Sequence, residues 1–340
     1  MTDKTLSLAE LHGLIVAILV VHDTAEGHAQ TVARALVAAE ADGQKGHGAS
    51  RVPSYAAQAR SGKVNGRATP ELIRLGNTAA IIDAHDGFAY PAIEMARRAL
   101  VESLAHAPIA AVAIRNSHHS GVIGHHIEPL ARAGFIAMSL GNSPQAIAPW
   151  GGNRGLFGTN PIGFAAPRDG HPPLIIDMSL SKVARGRINV AAEAGEPIPE
   201  GWAFDAQGNP TTDAKAAMAG TLAPMGDAKG AQLVLMVEIL AAALSASCFG
   251  FESSSYFSAE GAPPRAGQFM LAIDPGPFSA GRFGSRLEDL IAAIEAQPDS
   301  RLPGQRRFAQ RDRAAREGVT LPAALYEELL MLRASVSGPA

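Results

Sequence analysis

Residues 110–126 read AAVAIRNSHHSGVIGHH. Ala110–Ile114 is a short apolar run with β-branched members, the pattern of a buried strand, and the polar Arg115-Asn116-Ser117-His118-His119 ends it. A doubly wound dinucleotide-binding domain would follow such a strand with G-x-G-x-x-G at the mouth of a helix. That spacing is missing here and elsewhere in the chain, as is a Walker loop. The stretch therefore predicts an α/β (α+β) protein of non-Rossmann type, and any nicotinamide cofactor needs a different scaffold.

Outward from this segment the pattern divides into two kinds. Toward the N-terminus helix signals dominate. Ser7 can cap a helix from Leu8, Asp23 with Glu26 spells a capping box for a helix over Thr24–Ala41, and Gly43 stops it. After Gly46-His47-Gly48-Ala49-Ser50-Arg51, Pro53 can open a helix to Arg60 that Ser61-Gly62 ends. Strands are expected at Ala79–Ile82, Ile136–Leu140, Ile162–Ala166, Leu174–Asp177 and Phe269–Ile273, with a helix over Tyr90–Leu104. The C-terminal part returns to helix over Leu287–Ala296 and Leu321–Ala334, separated by a loop carrying Arg301, Pro303, Gly304, Arg306 and Arg307. The expected architecture is a helix-rich lobe assembled from both termini and a sheet-rich central lobe, with a ligand cleft between them.

Composition narrows the function classes. With 340 residues, 47% of them apolar, the chain can fill a large core. A formal charge of −3 gives no global field for nucleic acid or an anionic membrane, so phosphate binding must be local. The single cysteine, Cys248, sits in an apolar run and suggests a reducing compartment, with the cytoplasm as the default. The run Leu14–Val21 lacks a basic leader and a small-residue cleavage site, and Ala231–Cys248 is interrupted by Glu238. Both read as core helices, and no transmembrane segment is expected.

The segments GHGASRVPSYAAQARSGKVNG (46–66), RNSHHSGVIGHH (115–126), FGTNPIGFAAP (157–167), DMSLSKVARGRI (177–188), PMGDAKG (224–230), GQFMLAIDP (267–275) and RLPGQRR (301–307) resemble, in order, the motifs of the type-2 malate/L-lactate dehydrogenase family. That family also includes sulfolactate and ureidoglycolate dehydrogenases and the Δ1-piperideine-2-carboxylate and Δ1-pyrroline-2-carboxylate reductases. The resemblance implies a homodimer with a largely antiparallel central sheet. It also implies hydride transfer between NAD(P)H and C2 of a small 2-oxo or 2-hydroxy carboxylate, malate- or sulfolactate-like. Residues 1–118 with 290–340 would form the helix-rich substrate and dimer lobe, and 119–289 the NAD(P)-binding lobe.

The residues themselves suit that chemistry. A histidine titrating near neutrality, His47, can protonate a reduced carbonyl. Arg51, four residues on, can face the same cleft and pair bidentately with a carboxylate. Tyr55, a further helical turn along, can donate to substrate. The resemblance adds His118, Thr159 and Arg185 on the substrate side. Around the cofactor it places His119, Ser120, Gly121, Val122 and Ile123, whose turn leads into a helix N-terminus suited to phosphate, and then Asp177, Met178 and Ser179. An acidic residue such as Asp177 suits ribose hydroxyls. Lys229 and Gly230 could meet phosphate. Arg301, Gly304 and Arg306 lie in an arginine-rich stretch that reads either as a solvated face or as an adenosine-phosphate site, the latter favouring NADPH over NADH.

The resembling family carries serine before the histidine, where Gly46 stands here, and the imine reductases carry aspartate near Arg187. An arginine cannot relay a proton; a second cation favours a substrate with a second acid group. A cyclic-imine reductase is the alternative reading. A histidine-rich metal-binding protein is a third, because His118, His119, His125 and His126 crowd together; the expectation is no metal.

Overall fold

The computed structural model describes residues 2–335. At its centre lies a seven-stranded sheet in the order Glu71–Arg74, Ala79–Asp83, Ile109–Ser117, Ala266–Ile273, Ile136–Gly141, Ile162–Ala166, Leu174–Met178. Every neighbouring pair is antiparallel except Ala79–Asp83 with Ile109–Ser117. The chain is thus a mixed α/β protein with a mostly antiparallel sheet, as expected. All six expected strands are present, and Glu71–Arg74 is an additional edge strand. The sheet draws on both sides of residue 118.

Three apolar clusters hold the molecule together. Leu11, Ile15, Ile18, Val32, Leu36 and Tyr55 pack the N-terminal helices against Leu321 and Leu329. The pairing of Lys4–Leu6 with Val319–Leu321 ties the two ends of the chain into that cluster. Ile93, Leu100, Ile127 and Leu130 cover the sheet residues Ile82, Val112, Ile114 and Met270. A third cluster, around Ile147, Leu180, Ile188, Val234 and Val237, joins the far side of the sheet to a small three-stranded sheet and its helices. Burying side chains of this size supplies about 1.5–3 kcal/mol each.

Local chemistry explains where the elements begin, with two corrections. The helix Leu8–Val21 is capped as expected: the Ser7 hydroxyl accepts from the Glu10 amide, and the Glu10 carboxylate accepts from the Ser7 amide at 2.8 Å. The capping box expected at Asp23 does not form. Asp23 lies at φ 58°, outside the extended geometry of a cap, and its carboxylate pairs with Arg67 at 2.7 Å. Residues 22–24 instead close the preceding helix, Thr24 donating to the Leu19 carbonyl, so the next helix starts at Glu26.

The loop expected around Arg306 and Arg307 is the second correction, since Gln305–Glu317 is a helix. It has almost no apolar stripe to announce it. Ion pairs dock it: Arg311 reaches Asp42 at 2.7 Å and Glu128 at 2.7 Å. The apolar run after residue 227 is an α-helix to Glu238 that continues as a π-helical turn over Ile239–Ala243. Glu238 is buried there, accepting from Asn142, Asn160 and the Gly250 amide. No helix among the described residues is long and apolar enough to cross a membrane.

Candidate active site

The segment before the helix Val52–Arg60 folds as two successive 3₁₀ turns, Lys45–His47 and Ala49–Arg51. Gly48 is required between them, because a Cβ there would lie 2.2 Å from the Glu40 carboxylate. That carboxylate accepts from the Ala49 amide at 2.9 Å, while burial raises its pKa. The Glu40 contact fixes the turn, and the turn aims His47 and Arg51 inward.

The guanidinium of Arg51 is held at one edge. Its Nε donates to the Gly46 carbonyl at 2.7 Å, whereas Nη1 is buried without an acceptor. His47 stacks on His119, with ring centroids 5.3 Å apart and an interplanar angle of 20°. Its Nδ1 is likewise buried and unpartnered. Behind the stack, the Tyr55 hydroxyl is 2.6 Å from His119 Nδ1 and 3.2 Å from the Tyr90 hydroxyl. His118 Nε2 bonds Gln58 Oε1 at 3.0 Å, and the Tyr256 ring lies 5.4 Å from His118 and 5.0 Å from His119. Residues 47, 51, 55, 118 and 119 thus form one cluster.

The electrostatics of this cluster depart from the expectation of a histidine titrating near neutrality. Burial, and then the charge of Arg51, pull His47 down to about 4. Burial likewise brings His118 to about 3 and carries His119 well below its ordinary value. All three imidazoles are neutral at neutral pH, while burial drives the Tyr55 hydroxyl upward. A cationic guanidinium is set among neutral rings. Three buried atoms of the cluster, His47 Nδ1, Arg51 Nη1 and His118 Nδ1, have no hydrogen-bond partner, and beside the cationic guanidinium they call for a polar, anionic ligand.

The nearby turn explains Gly121 as well. Its φ is 66°, and a Cβ would stand 2.5 Å from the Tyr90 hydroxyl. Val122 and Ile123 are packed into the interior, so only their backbone can meet a ligand. The Ser120 carbonyl takes His126 Nε2 at 2.6 Å. The Gly124 amide, at the start of the helix Gly124–Arg132, donates to Asp177 Oδ2 at 3.0 Å, and Arg307 Nη1 approaches the same oxygen at 3.1 Å. Asp177 is close enough to His47 that its charge acts on that imidazole.

Asp177 also lines a cleft of about 650 Å³ together with Lys45, Asp42, Arg301, Arg306 and Arg307. Asp42 is engaged by Arg311 and by His125 at 2.8 Å, and Asp177 by Arg307. Arg301 and Arg306 carry no ion pair among the described residues. Gly304, at φ 86°, caps the helix that carries Arg306 and Arg307 into the cleft. The cleft is thus lined by groups of both signs, and Asp177 links it to the cluster, since its charge acts on His47.

Other sequence candidates have different surroundings. Thr159 is half-buried, its amide donating to Ser143 Oγ at 3.1 Å and its carbonyl accepting from Leu180. Met178 pairs with Ile162 in the sheet, and the Ser179 hydroxyl bonds that of Ser181 at 2.8 Å. Arg185 Nη2 donates to the Met218 carbonyl at 2.8 Å, and Arg187 stacks over Trp202 at 4.7 Å. Lys229 is exposed, and Gly230 is a packing glycine whose Cβ would lie 1.6 Å from the Met225 carbonyl oxygen. The crowded histidines disperse, His125 to Asp42 and His126 to Ser120. No group of three or more potential metal ligands occurs among the described residues. Gln58, Tyr90 and Tyr256 were not singled out by sequence, and no local signal distinguishes them. Lys45 lies two positions before His47, and that proximity was the available hint.

The chain is similar to known proteins over nearly its whole length. A model of the family described as malate/L-lactate dehydrogenase matches residues 6–330. The chain is 49% identical, over 96% of its length and 97% of the other's, to the (2R)-3-sulfolactate dehydrogenase (NADP(+)) of Chromohalobacter salexigens. It is 41% identical, over 92% of each chain, to the Δ1-pyrroline-2-carboxylate/Δ1-piperideine-2-carboxylate reductase of Pseudomonas putida. Among solved structures, the Δ1-piperideine-2-carboxylate reductase of Pseudomonas syringae superimposes with a TM-score of 0.91 at 37% identity, covering 97% of this chain and 99% of that one.

Proposed function

Since this chain belongs to the malate/L-lactate dehydrogenase family, we propose that it is an NADP-dependent oxidoreductase acting at C2 of a small 2-oxo or 2-hydroxy acid that bears a second acid group. The observation that carries this reading is the pair of buried, unpartnered atoms, His47 Nδ1 and Arg51 Nη1, on side chains whose charges act on one another. The second acid group rests on the 49% identity to a sulfolactate dehydrogenase, since the Arg187 guanidinium lies on Trp202.

In this reading the Nη edge of Arg51 takes the substrate carboxylate and so orients C2. NADPH, when bound, supplies the hydride that C2 accepts. His47 gives its proton to the carbonyl oxygen of the 2-oxo acid and regains it from solvent; in the reverse direction the neutral imidazole removes the hydroxyl proton. Carboxylate binding tunes that step. It cancels the guanidinium charge that helps hold His47 near 4, raising the proton affinity of the imidazole when substrate is present. Asp177 Oδ1 is left for a ribose hydroxyl, since the contacts from Gly124 and Arg307 both fall on Oδ2. Arg301 and Arg306 would hold the adenosine phosphate that distinguishes NADPH from NADH. A homodimer in the cytoplasm belongs to the same reading, the homodimer resting on the motif resemblance and the cytoplasm on the single cysteine, Cys248.

The second reading is a cyclic-imine reductase, favoured by the Pseudomonas syringae neighbour and its TM-score of 0.91. Parallel assays with sulfopyruvate, oxaloacetate, Δ1-piperideine-2-carboxylate and Δ1-pyrroline-2-carboxylate, followed at the nicotinamide absorbance, separate the two. Turnover of the 2-oxo acids is expected. Efficient formation of a cyclic amino acid from the imines alone would transfer the assignment to the second reading.

A further inference from the structure

The loop 255–260 is fastened from beneath by side chains of the segment 58–63. Lys63, a residue only 3% exposed, donates from its ammonium to three carbonyls, those of Ser255 at 2.7 Å, Ser258 at 2.9 Å and Glu260 at 2.8 Å. Gln58 Nε2 adds a bond to the Tyr256 carbonyl at 2.8 Å, and Ser61 Oγ one to the Ala259 carbonyl at 2.9 Å. A buried cation satisfied by three carbonyls of one loop is a costly device unless the loop position matters, because desolvating an ammonium is expensive.

What the loop presents is two adjacent rings. Tyr256 is buried against His118 and His119. Phe257 is 72% exposed, yet its ring lies 4.5 Å from Arg51 Cζ. An aromatic face over a guanidinium attracts its charge while leaving every N–H in the guanidinium plane free. Arg51 therefore has two contacts that leave Nη1 free: the Phe257 ring lies over Cζ, and the Gly46 carbonyl holds Nε. The buried, unpartnered Nη1 remains for a ligand.

We propose that Phe257 is a substrate-positioning residue, acting through Arg51, and that Lys63 anchors the loop that delivers it. The proposal rests on the reading of Arg51 as the carboxylate-binding group. Stacking orients the guanidinium before substrate arrives, so less side-chain freedom is lost on binding.

The test uses the NADP⁺-loaded enzyme and oxamate, an unreactive isostere of a 2-oxo acid, titrated by calorimetry against Phe257→Ala, Phe257→Leu and Phe257→Tyr. Because Phe257 is exposed, none of these should impair folding. Oxamate affinity should fall roughly 3- to 30-fold in the alanine and leucine variants, with KM rising in step and kcat within about twofold. The tyrosine variant should restore binding, and NADPH affinity should be unchanged throughout. Wild-type oxamate affinity in the leucine variant would overturn the proposal, since apolar bulk would then suffice. An equal loss of NADPH affinity would overturn it too. Oxamate binding with no turnover of any 2-oxo acid or imine would sink the proposed reaction and leave the role of Phe257 standing, whereas a wild-type enzyme that does not bind oxamate would remove both.

Discussion

The imidazole of His47 lies face to face with that of His119, 5.3 Å away, and the Tyr55 hydroxyl, 2.6 Å from His119 Nδ1, holds the second ring at its edge. Protonating either ring disfavours the other, because stacked cations repel in a site screened from water. His47 keeps a buried, unpartnered Nδ1, and its protonation is held down first by burial and then by the charge of Arg51.

His47→Ala should lower kcat about 100- to 10,000-fold, the usual contribution of a positioned proton donor. NADPH affinity, measured by nucleotide fluorescence, should be retained. Loss of nucleotide binding with preserved turnover would remove His47 from the chemistry.

The pH profile should show the coupling to Arg51. For 2-oxo acid reduction, kcat/KM requires the protonated imidazole of the free enzyme and should rise as pH falls toward about 4, whereas kcat should titrate at higher pH because bound carboxylate offsets the guanidinium. Identical pKa values in the two profiles would contradict the coupling.

Gly46→Ser is expected to be tolerated, since a Cβ at Gly46 meets nothing within 4 Å. A hydroxyl beside His47 would give its unpartnered Nδ1 an acceptor and stabilise the charged ring. The fall of kcat/KM with rising pH should therefore move to higher pH. An unmoved profile would mean that the hydroxyl does not reach the imidazole.

Arg306→Ala and Arg301→Ala should weaken NADPH about 10- to 150-fold, the range for a lost charge-assisted hydrogen bond, with NADH little affected. Competitive binding of the two nucleotides measures this directly. Equal losses for both would place these arginines away from the distinguishing phosphate.

Stability should decline as pH falls below about 6.5. His118 and His126, both lowered by burial to about 3, and His119, lowered further, stay neutral in the fold while the unfolded chain takes up protons. The unfolded state binds more protons throughout that window, so stability is lost with acidification by up to about 1.4 kcal/mol per histidine per pH unit. Glu40 and Glu238, raised by burial, oppose the trend nearer their own range. Thermal melts between pH 7 and 5 should show the fall, and a flat profile would argue against buried neutral imidazoles.

The order of motifs along the chain was enough to assign the family and, through the resemblance, the antiparallel sheet and the class of reaction; the four-residue spacing of His47 and Arg51 put both in the short segment ahead of a helix, which folds as two successive 3₁₀ turns. Short motifs carry the resemblance, and local backbone preference and side-chain type express the strands and helices between them. Tertiary structure alone decided the rest. The contact of Arg307 with Asp177 spans 130 residues, and that of Gln58 with Tyr256 spans 198, separations over which no local pattern exists. The helix Gln305–Glu317 escaped sequence reading because ion pairs to Asp42 and Glu128 dock it in place of an apolar stripe. Burial likewise turned a histidine expected to titrate near neutrality into one held near 4, since desolvation depends on which distant segments close over the ring.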